Sequence, residues 1–536
     1  MKSYIKRNKG YFILLSVCCA SSALFAVAVQ FLKGEVLDLA LTGELSRTGI
    51  FVLFLLSAIL LEVLLFYGYD CASSRFIASC ARDLRFDLMH GVIAQTYPAF
   101  LAEGKSACLA KFTNDAELVR SLYFSVLPQF AEILSKILLV SGALFLLNWR
   151  MALLTLFLLT TPLYVPKLIE KRLKTAQNAY KESVTHHLSR IAGWLSVFET
   201  VKNFRAEHRV LKQYQQVNDA LAAADRKNRG LANASRLIST LLSYLSHFLV
   251  LAAAALLVAV GTFSAGDFFI AVGLIDQLSW PLIALSELVR SIVSVKPVCE
   301  GLHTILNASE EKQVKPSDSV LSEGILYDNV YFSYEKAHPL LTGLHMEIRR
   351  NESVLFRGTS GCGKTTAINL LMRYIEPDSG TIMIDGKPLS SYDDLYGLVT
   401  LMRQDTALFR DSLRNNLTMY EDYPDEELFS VLRQVGLSGY ATYEALKMTV
   451  AEDGGNFSGG ERRRLCLARA LLRKSDVLVL DEPLANLDQT TAAQIEDVLL
   501  KLENRTLLIV SHSFSEQKLD QLDRVFDLTE TNRIAP

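Results

Sequence analysis

The chain has 536 residues, 50% of them hydrophobic and 21% charged, and Lys+Arg 55 against Asp+Glu 57 leave a net charge of −2. That length suggests several domains. The charge balance excludes the basic excess that a nucleic-acid binder uses to neutralise phosphates, so no nucleic-acid partner is expected. Eight cysteines, none in a C-x-x-C pair, exclude a secreted disulfide scaffold. The apolar residues are concentrated before about Ile292, and the rest reads as an ordinary soluble domain.

A bilayer core takes about 20 apolar residues as helix. Six stretches meet that need, at 11–32, 50–69, 128–147, 151–167, 237–261 and 267–290. The competing reading is a large soluble protein with buried helices, and six such stretches together argue against it. The first stretch follows a basic lead, MKSYIKRNKG. Its apolar run is too long for a signal-peptide core and no small-x-small site follows, so it reads as an anchor.

Lys and Arg set the orientation. They crowd the N-terminus (Lys2, Lys6, Arg7, Lys9), the segment after the second stretch (Arg75, Arg82, Arg85, Lys105, Lys111) and the segment after the fourth (Lys167, Lys171, Arg172, Lys174, Arg190). These segments and the C-terminal half are therefore expected in the cytoplasm. Both long segments read as helices running out of the membrane, with tips expected in YPAFLAEGKSACLAKFTNDAELV and AGWLSVFETVKNFRAE. Such tips can touch another domain; a solvated loop is the plainer reading.

Polar residues inside spans are candidates for function. Glu62 lies in the second stretch, and Asp276 and Gln277 in the sixth, beside Trp280 and Pro281. Asp276 is a candidate lining residue of a substrate cavity or an interhelical hydrogen-bonding group. Glu62 is expected to face the bundle or to snorkel. His186 and His187 invite a metal reading, but adjacent helical residues point apart, so a solvated face is expected.

From about Leu321 the pattern changes to short strands, turns and helices. SVLFRG reads as a strand and runs into GTSGCGKT, residues 358–365, which fits G-x-x-x-x-G-K-[ST] without a mismatch. The helix TAINLLMRYI follows. Glycines let backbone N–H groups crowd a phosphate, and the helix N-terminus adds partial positive charge. Gly358, Thr359, Ser360, Gly361, Cys362, Gly363, Lys364, Thr365 and Thr366 are thus candidate nucleotide-binding residues. Lys364 is expected on the β/γ-phosphates and the Thr365 hydroxyl on Mg²⁺. VLVLDE reads as a buried strand ending in Asp481, for the Mg²⁺ shell, and Glu482, as general base. Two surface acids capping a strand are the alternative. Ser458, Gly459 and Gly460 open a further helix in NFSGGERRRLCLARALL and form a second candidate anion site. An ordinary capped turn is the alternative there.

This set resembles the nucleotide-binding domain of the ATP-binding cassette (ABC) proteins. FSGGE is similar to the family's LSGGQ signature. The resemblance implies that Gln404 in LMRQDTALF is the Q-loop glutamine, which senses Mg²⁺ and the membrane domain. His512 in LLIVSHS then contacts the γ-phosphate, Asp488 in ANLD is the D-loop aspartate, and Tyr334 in VYFSYE stacks on adenine. The family's cassettes pair head to tail, so Ser458 and Gly460 would bind the γ-phosphate held by the other subunit's P-loop. Six spans ahead of one cassette resemble a type IV exporter half-transporter. QDTALFRDSLRNNL, VAEDGGNFSGG with Glu452, and FTNDAELV resemble exporter segments. Phe457 and Glu461 depart from the usual signature, ANLD departs from SALD, and Cys362 sits inside the P-loop.

The fold class implied is an α-helical transmembrane domain, residues 1–305, a linker, 306–320, and an α/β P-loop NTPase domain, 321–536. The function implied is ATP-driven export of an amphipathic small molecule, lipid or peptide by a dimer with an identical or homologous half-transporter. Siderophore-type uptake on the same fold is the alternative. The location implied is the bacterial plasma membrane.

Overall fold

A computed structural model describes residues 1–161, 165–311, 320–336, 338–392, 394–405, 407–485 and 487–531. The chain divides into two units: Met1–Gln95 with Glu103–Glu311, and Thr96–Ala102 with Lys312–Pro536.

The first unit is helical. Its long helices are α1 (Lys9–Leu41), α2 (Leu45–Ile93), α3 (Lys105–Leu147, passing through two π-helical turns), α4 (Trp149–Thr160), α5 (Val165–Ser196), α6 (Glu207–Ala259) and α7 (Ala265–Glu311). Among the described residues α1, α2, α3 and α6 are long and apolar enough to cross a membrane. The expected span 151–167 starts in α4 and continues into residues outside the described set. The expected span 267–290 is the first half of α7, which carries Pro281 and Pro297 inside it. Leu53 and Leu64 of α2 are 67% and 65% exposed. An apolar helix with this much bare surface is stable only against lipid, where backbone polar groups must be satisfied within the helix itself. The expected tips fall on the short helices Tyr97–Glu103 and Phe198–Asn203. His187 packs its ring on Tyr214, with centroids 5.5 Å apart.

Close helix contacts in this unit depend on small residues. A Cβ at Gly34 of α1 would meet Ile270 at 2.5 Å and the Gly266 carbonyl oxygen at 2.7 Å. Asp38, one turn on, accepts hydrogen bonds from the Ser264 hydroxyl (2.6 Å) and the Gly266 N–H (2.7 Å). It thereby satisfies donors at the open N-terminus of α7.

The second unit has two sheets. One runs β2-β1-β4-β5, built from β1 (Gly324–Phe332), β2 (Leu341–Arg349), β4 (Ser379–Ile384) and β5 (Lys387–Pro388), all antiparallel. The other runs β6-β7-β8-β3-β9, built from β3 (Ser353–Arg357), β6 (Val399–Met402), β7 (Val477–Asp481), β8 (Thr506–Val510) and β9 (Arg524–Asp527), all parallel. Successive side chains of a strand point to opposite faces. Leu478, Leu480, Leu507, Ile509 and Leu355 accordingly enter one core, and Val477, Val479, Leu508, Val510, Val354 and Phe356 enter the other. Both faces are covered, which explains the unbroken apolar runs of β7 and β8.

Gly266→Ala is expected to push α7 from α1 at a cost of about 1–3 kcal/mol, typical of overpacking. A Cβ there would lie 2.4 Å from the Asp38 carboxylate, whereas one at Gly142 meets nothing within 4 Å. Thermal unfolding in detergent should therefore shift for Gly266→Ala and not for Gly142→Ala; identical curves would remove this contact from the account.

Candidate functional site

All strands of the second sheet run the same way, so their carboxyl ends share one edge, and ligands of open α/β sheets gather there. Three neighbouring strands end on this edge in chemistry-bearing residues. β3 leads into the P-loop, β7 ends in Asp481, and Ser511 and His512 follow β8.

The P-loop owes its shape to glycines. Gly358, Gly361 and Gly363 have φ of +148°, +83° and +104°. A Cβ at Gly363 would also lie 2.6 Å from Leu341, so only glycine fits without displacement. Gly363 caps α8 (Lys364–Leu371). Thr359 N–H donates to the Thr529 hydroxyl at 3.1 Å. The buried Lys364 ammonium donates to the carbonyls of Gly358 and Thr359, both at 2.9 Å, so it is folded back on the loop that would carry a phosphate. The Cys362 thiol lies 3.8 Å from that ammonium. Ser360 is exposed on the loop, and Thr366 is buried in the first turn of α8. The Tyr334 hydroxyl sits 3.4 Å from the Thr366 hydroxyl, and its exposed ring packs edge-on against Phe332.

Asp481 and Glu482 are both buried. Burial, then the neighbouring Glu482 carboxylate, pushes Asp481 above its ordinary range; Arg403, Lys364 and a hydrogen bond with Thr365 oppose this. The buried Asp481 carboxylate with the Thr365 hydroxyl beside it offers hard oxygen donors of the kind Mg²⁺ takes together with phosphate oxygens. Glu482 has φ +51°, a strained value for a non-glycine residue. Its N–H donates to the Val510 carbonyl at 2.8 Å and holds that turn against the end of β8. One carboxylate oxygen, Oε2, lies 3.4 Å from the His512 N–H. The other, Oε1, is buried and lies 3.4 Å from His512 Nε2.

Gln404 is less committed. Its side chain is exposed, and its carbonyl accepts from Arg463 at 3.0 Å. Asp488 caps α10 (Gln489–Leu500), accepting from the Thr490 hydroxyl and from Thr491 N–H at 2.9 Å. These hydrogen bonds, the Thr490 one first, hold its carboxyl far below the usual range.

Ser458, Gly459 and Gly460 form the N-terminus of α9 (Gly459–Leu472). Ser458 and Glu461 make a capping box: Glu461 N–H donates to the Ser458 hydroxyl (3.2 Å), and Ser458 N–H donates to the Glu461 carboxylate (2.9 Å). The Tyr440 hydroxyl adds a third bond to Glu461 at 2.9 Å. Phe457 is buried against the Tyr440 ring. The two departures from the usual signature are thus packed and hydrogen-bonded.

Sequence reading missed two groups. Arg463 donates to the Gln404 and Ala485 carbonyls, tying the Q-loop to the turn after Glu482. Helical periodicity hinted at it, since it shares a buried stripe with Cys466, Leu467 and Ala470. Within the second unit, Tyr97 stacks on Tyr374 with centroids 4.5 Å apart, and the Arg403 guanidinium lies over both rings. Burial, then the nearby Tyr396, pushes the Tyr374 hydroxyl up to about 12. No motif signalled this stack.

The Ser458 N–H, ahead of burial, holds Glu461 below its ordinary 4.5. Hydrogen bonds that favour the carboxylate stabilise the fold at neutral pH, and that contribution fades as pH falls below 4.5. Glu461→Gln should fold at pH 7 and lose this part of the acid sensitivity. Superimposable acid-unfolding profiles for the two proteins would refute the assignment.

The family model of the ABC transporter transmembrane region matches residues 12–282, and that of the ABC transporter matches 341–485. The multidrug resistance-like ATP-binding protein MdlB of Buchnera aphidicola subsp. Acyrthosiphon pisum is 27% identical over 531 residues, covering 96% of this chain and 90% of that one. The ATP-dependent lipid A-core flippase of Chromobacterium violaceum is 26% identical over 429 residues, covering 78% and 72%. The structure of a bacterial Atm1-family ABC exporter with ATP bound superposes with a TM-score of 0.79 at 20% identity, over 98% and 94% of the two chains. With the membrane-region match spanning half its length, this chain belongs to the ABC transporter family, as an integral-membrane half-transporter of exporter fold that dimerises and hydrolyses ATP to drive transport.

Proposed function

We propose that this chain exports an amphipathic small molecule, lipid or peptide from the cytoplasm by alternating access, as a dimer with an identical or homologous half-transporter. Relatives named for lipid A-core flipping and multidrug resistance support export over siderophore-type uptake. In this reading residues 1–305 are the membrane domain, 306–320 the linker and 321–536 the nucleotide-binding domain. The N-terminus and the nucleotide-binding domain face the cytoplasm of a bacterial plasma membrane, as the Lys and Arg asymmetry supports.

The observation that best supports an ATPase built this way is the buried Glu482 carboxylate with His512 Nε2 at 3.4 Å, on the same sheet edge as the P-loop. Glu482 accepts the proton of the attacking water, and His512 orients that carboxylate and meets the γ-phosphate. Lys364 leaves the carbonyls of Gly358 and Thr359 to bind the β/γ-phosphates, and the N–H groups of 358–366 cradle them. Thr365, Asp481 and Gln404 would hold Mg²⁺, which would supply neutralisation of phosphate charge. Tyr334 stacks on the adenine. Ser458, Gly459 and Gly460 close on the γ-phosphate held by the partner, and Asp488 completes the contact across the dimer. ATP favours the closed dimer because only there are both anion sites used, and this differential binding drives the conformational cycle. The coupling tips expected near 97–103 and 198–203 would pass closure on to the spans.

Glu482→Gln in lipid nanodiscs should cut ATP hydrolysis by about 100-fold or more, as expected for loss of a general base, while ATP still binds. Retention of the wild-type rate would remove Glu482 from the chemistry. Alkylation of Cys362 should inhibit hydrolysis, more slowly when ATP is present, and Cys362→Ala should abolish the sensitivity. Full activity after confirmed alkylation would refute this crowding.

A further inference from the structure

Asp276 lies eleven residues past the start of α7 at Ala265, and His247 twelve residues before the end of α6 at Ala259. With 237–261 and 267–290 read as spans, about 1.5 Å per residue would place both roughly halfway through a ~30 Å hydrocarbon core. α7 buries Ala271, Leu274, Ile275 and Leu278 in the helical unit. Helical spacing turns Asp276 to the opposite side, with Trp280 one turn on and Phe269 two turns back. The Asp276 side chain is 65% exposed, and Trp280 is 62% exposed. From α6, His247 brings Nε2 to 3.6 Å from the Asp276 carboxylate, and Tyr244, one turn earlier, is exposed on the same side.

A carboxylate bare to lipid at this depth is costly, so intramembrane acids face the bundle or a water-filled path. Three other acids of the spans, Glu62, Glu132 and Glu287, have a Lys or Arg nearby. Glu132 pairs with Lys136 at 2.6 Å, and Glu62 feels the charges of Lys136 and Lys33. Further along α7, Glu287 lies 3.8 Å from Arg290. Gln277, the neighbour of Asp276, turns into the bundle and donates to the Ala26 carbonyl. Among the described residues the cationic group within 4 Å of Asp276 is His247, which carries charge only when protonated. An accessible carboxylate flanked by aromatic faces is the chemistry that holds a poorly hydrated organic cation.

Resting on the transport reading above, we propose that Asp276 is the counter-ion of a mid-membrane binding site for hydrophobic organic cations, with Trp280 and Tyr244 as its aromatic walls and His247 across from it. The substrate class is then a cationic amphipath. An anion of the same shape is repelled.

The test uses the full chain in lipid nanodiscs without ATP, with radiolabelled tetraphenylphosphonium as probe and tetraphenylborate as the anion of matching shape. Saturable binding of the cation alone is expected. Asp276→Asn should weaken it by about 10-fold or more, an easily resolved shift in Kd, Asp276→Glu should restore it, and Trp280→Ala should weaken it severalfold. Equal binding of the anion, or an Asp276→Asn affinity within about twofold of wild type, overturns the site. So does an Asp276→Asn protein that binds the cation normally but runs as a monomer, which would assign the carboxylate to a second copy. Should Asp276→Asn not fold, Trp280→Ala decides, and unchanged cation affinity there overturns the proposal. Binding needs no hydrolysis, so the two readings fail separately. Absent cation binding with Glu482-dependent ATPase intact sinks this site alone; absent ATPase with cation binding intact sinks the transport chemistry alone.

Discussion

Parallel register between β3, β8 and β7 sends three successive carboxyl ends to one edge of one sheet, and the nucleotide chemistry depends on that constraint. The strands pair residue by residue: Phe356 opposite Val510, and Asp481 opposite Val510. The P-loop, the acidic pair and His512 therefore leave the sheet side by side, although more than a hundred residues separate the first two in sequence. The Glu482 N–H to Val510 carbonyl bond then closes the last gap and holds the φ +51° turn that aims the carboxylate. Two apolar cores on opposite faces keep the strands from shifting, because a one-residue slip would exchange every side chain between them.

The helical unit solves a different problem. Its outer surfaces are apolar and exposed, so lipid takes the place of a core, and helix contacts come from close packing and a few polar links. Gly34 and Gly266 bring α1 and α7 close enough for Asp38 to satisfy the start of α7. The Ser246 hydroxyl donates to the Leu158 carbonyl and joins α6 to α4 in the same way. The Asp276 carboxylate of α7 makes another such link, with His247 Nε2 of α6 at 3.6 Å.

The departures in the signature have a physical account. A glutamate at 461 keeps the reach of a glutamine and adds charge at a helix N-terminus, where it is favoured. It completes the capping box with Ser458 and takes the Tyr440 hydroxyl as well. Arg463, two residues on, then connects this helix to the Q-loop and to the turn after Glu482. A single guanidinium thus links all three.

By itself the sequence determined the division into an apolar helical half and an α/β half, because hydropathy and strand–loop–helix patterns are local. It determined the P-loop and the acidic pair for the same reason: glycine spacing and a buried strand ending in carboxylates are read within a dozen residues. Only the tertiary structure decided which of these meet. It put His512 beside Glu482, joined Arg463 to Gln404, stacked Tyr97 on Tyr374, and set His247 against Asp276. Each of these contacts joins residues from 29 to 277 positions apart, and a pattern with a period of 2 or 3.6 carries no information over such separations. Strand register and helix packing bring them together, through the summed burial of many side chains that individually say nothing about the site.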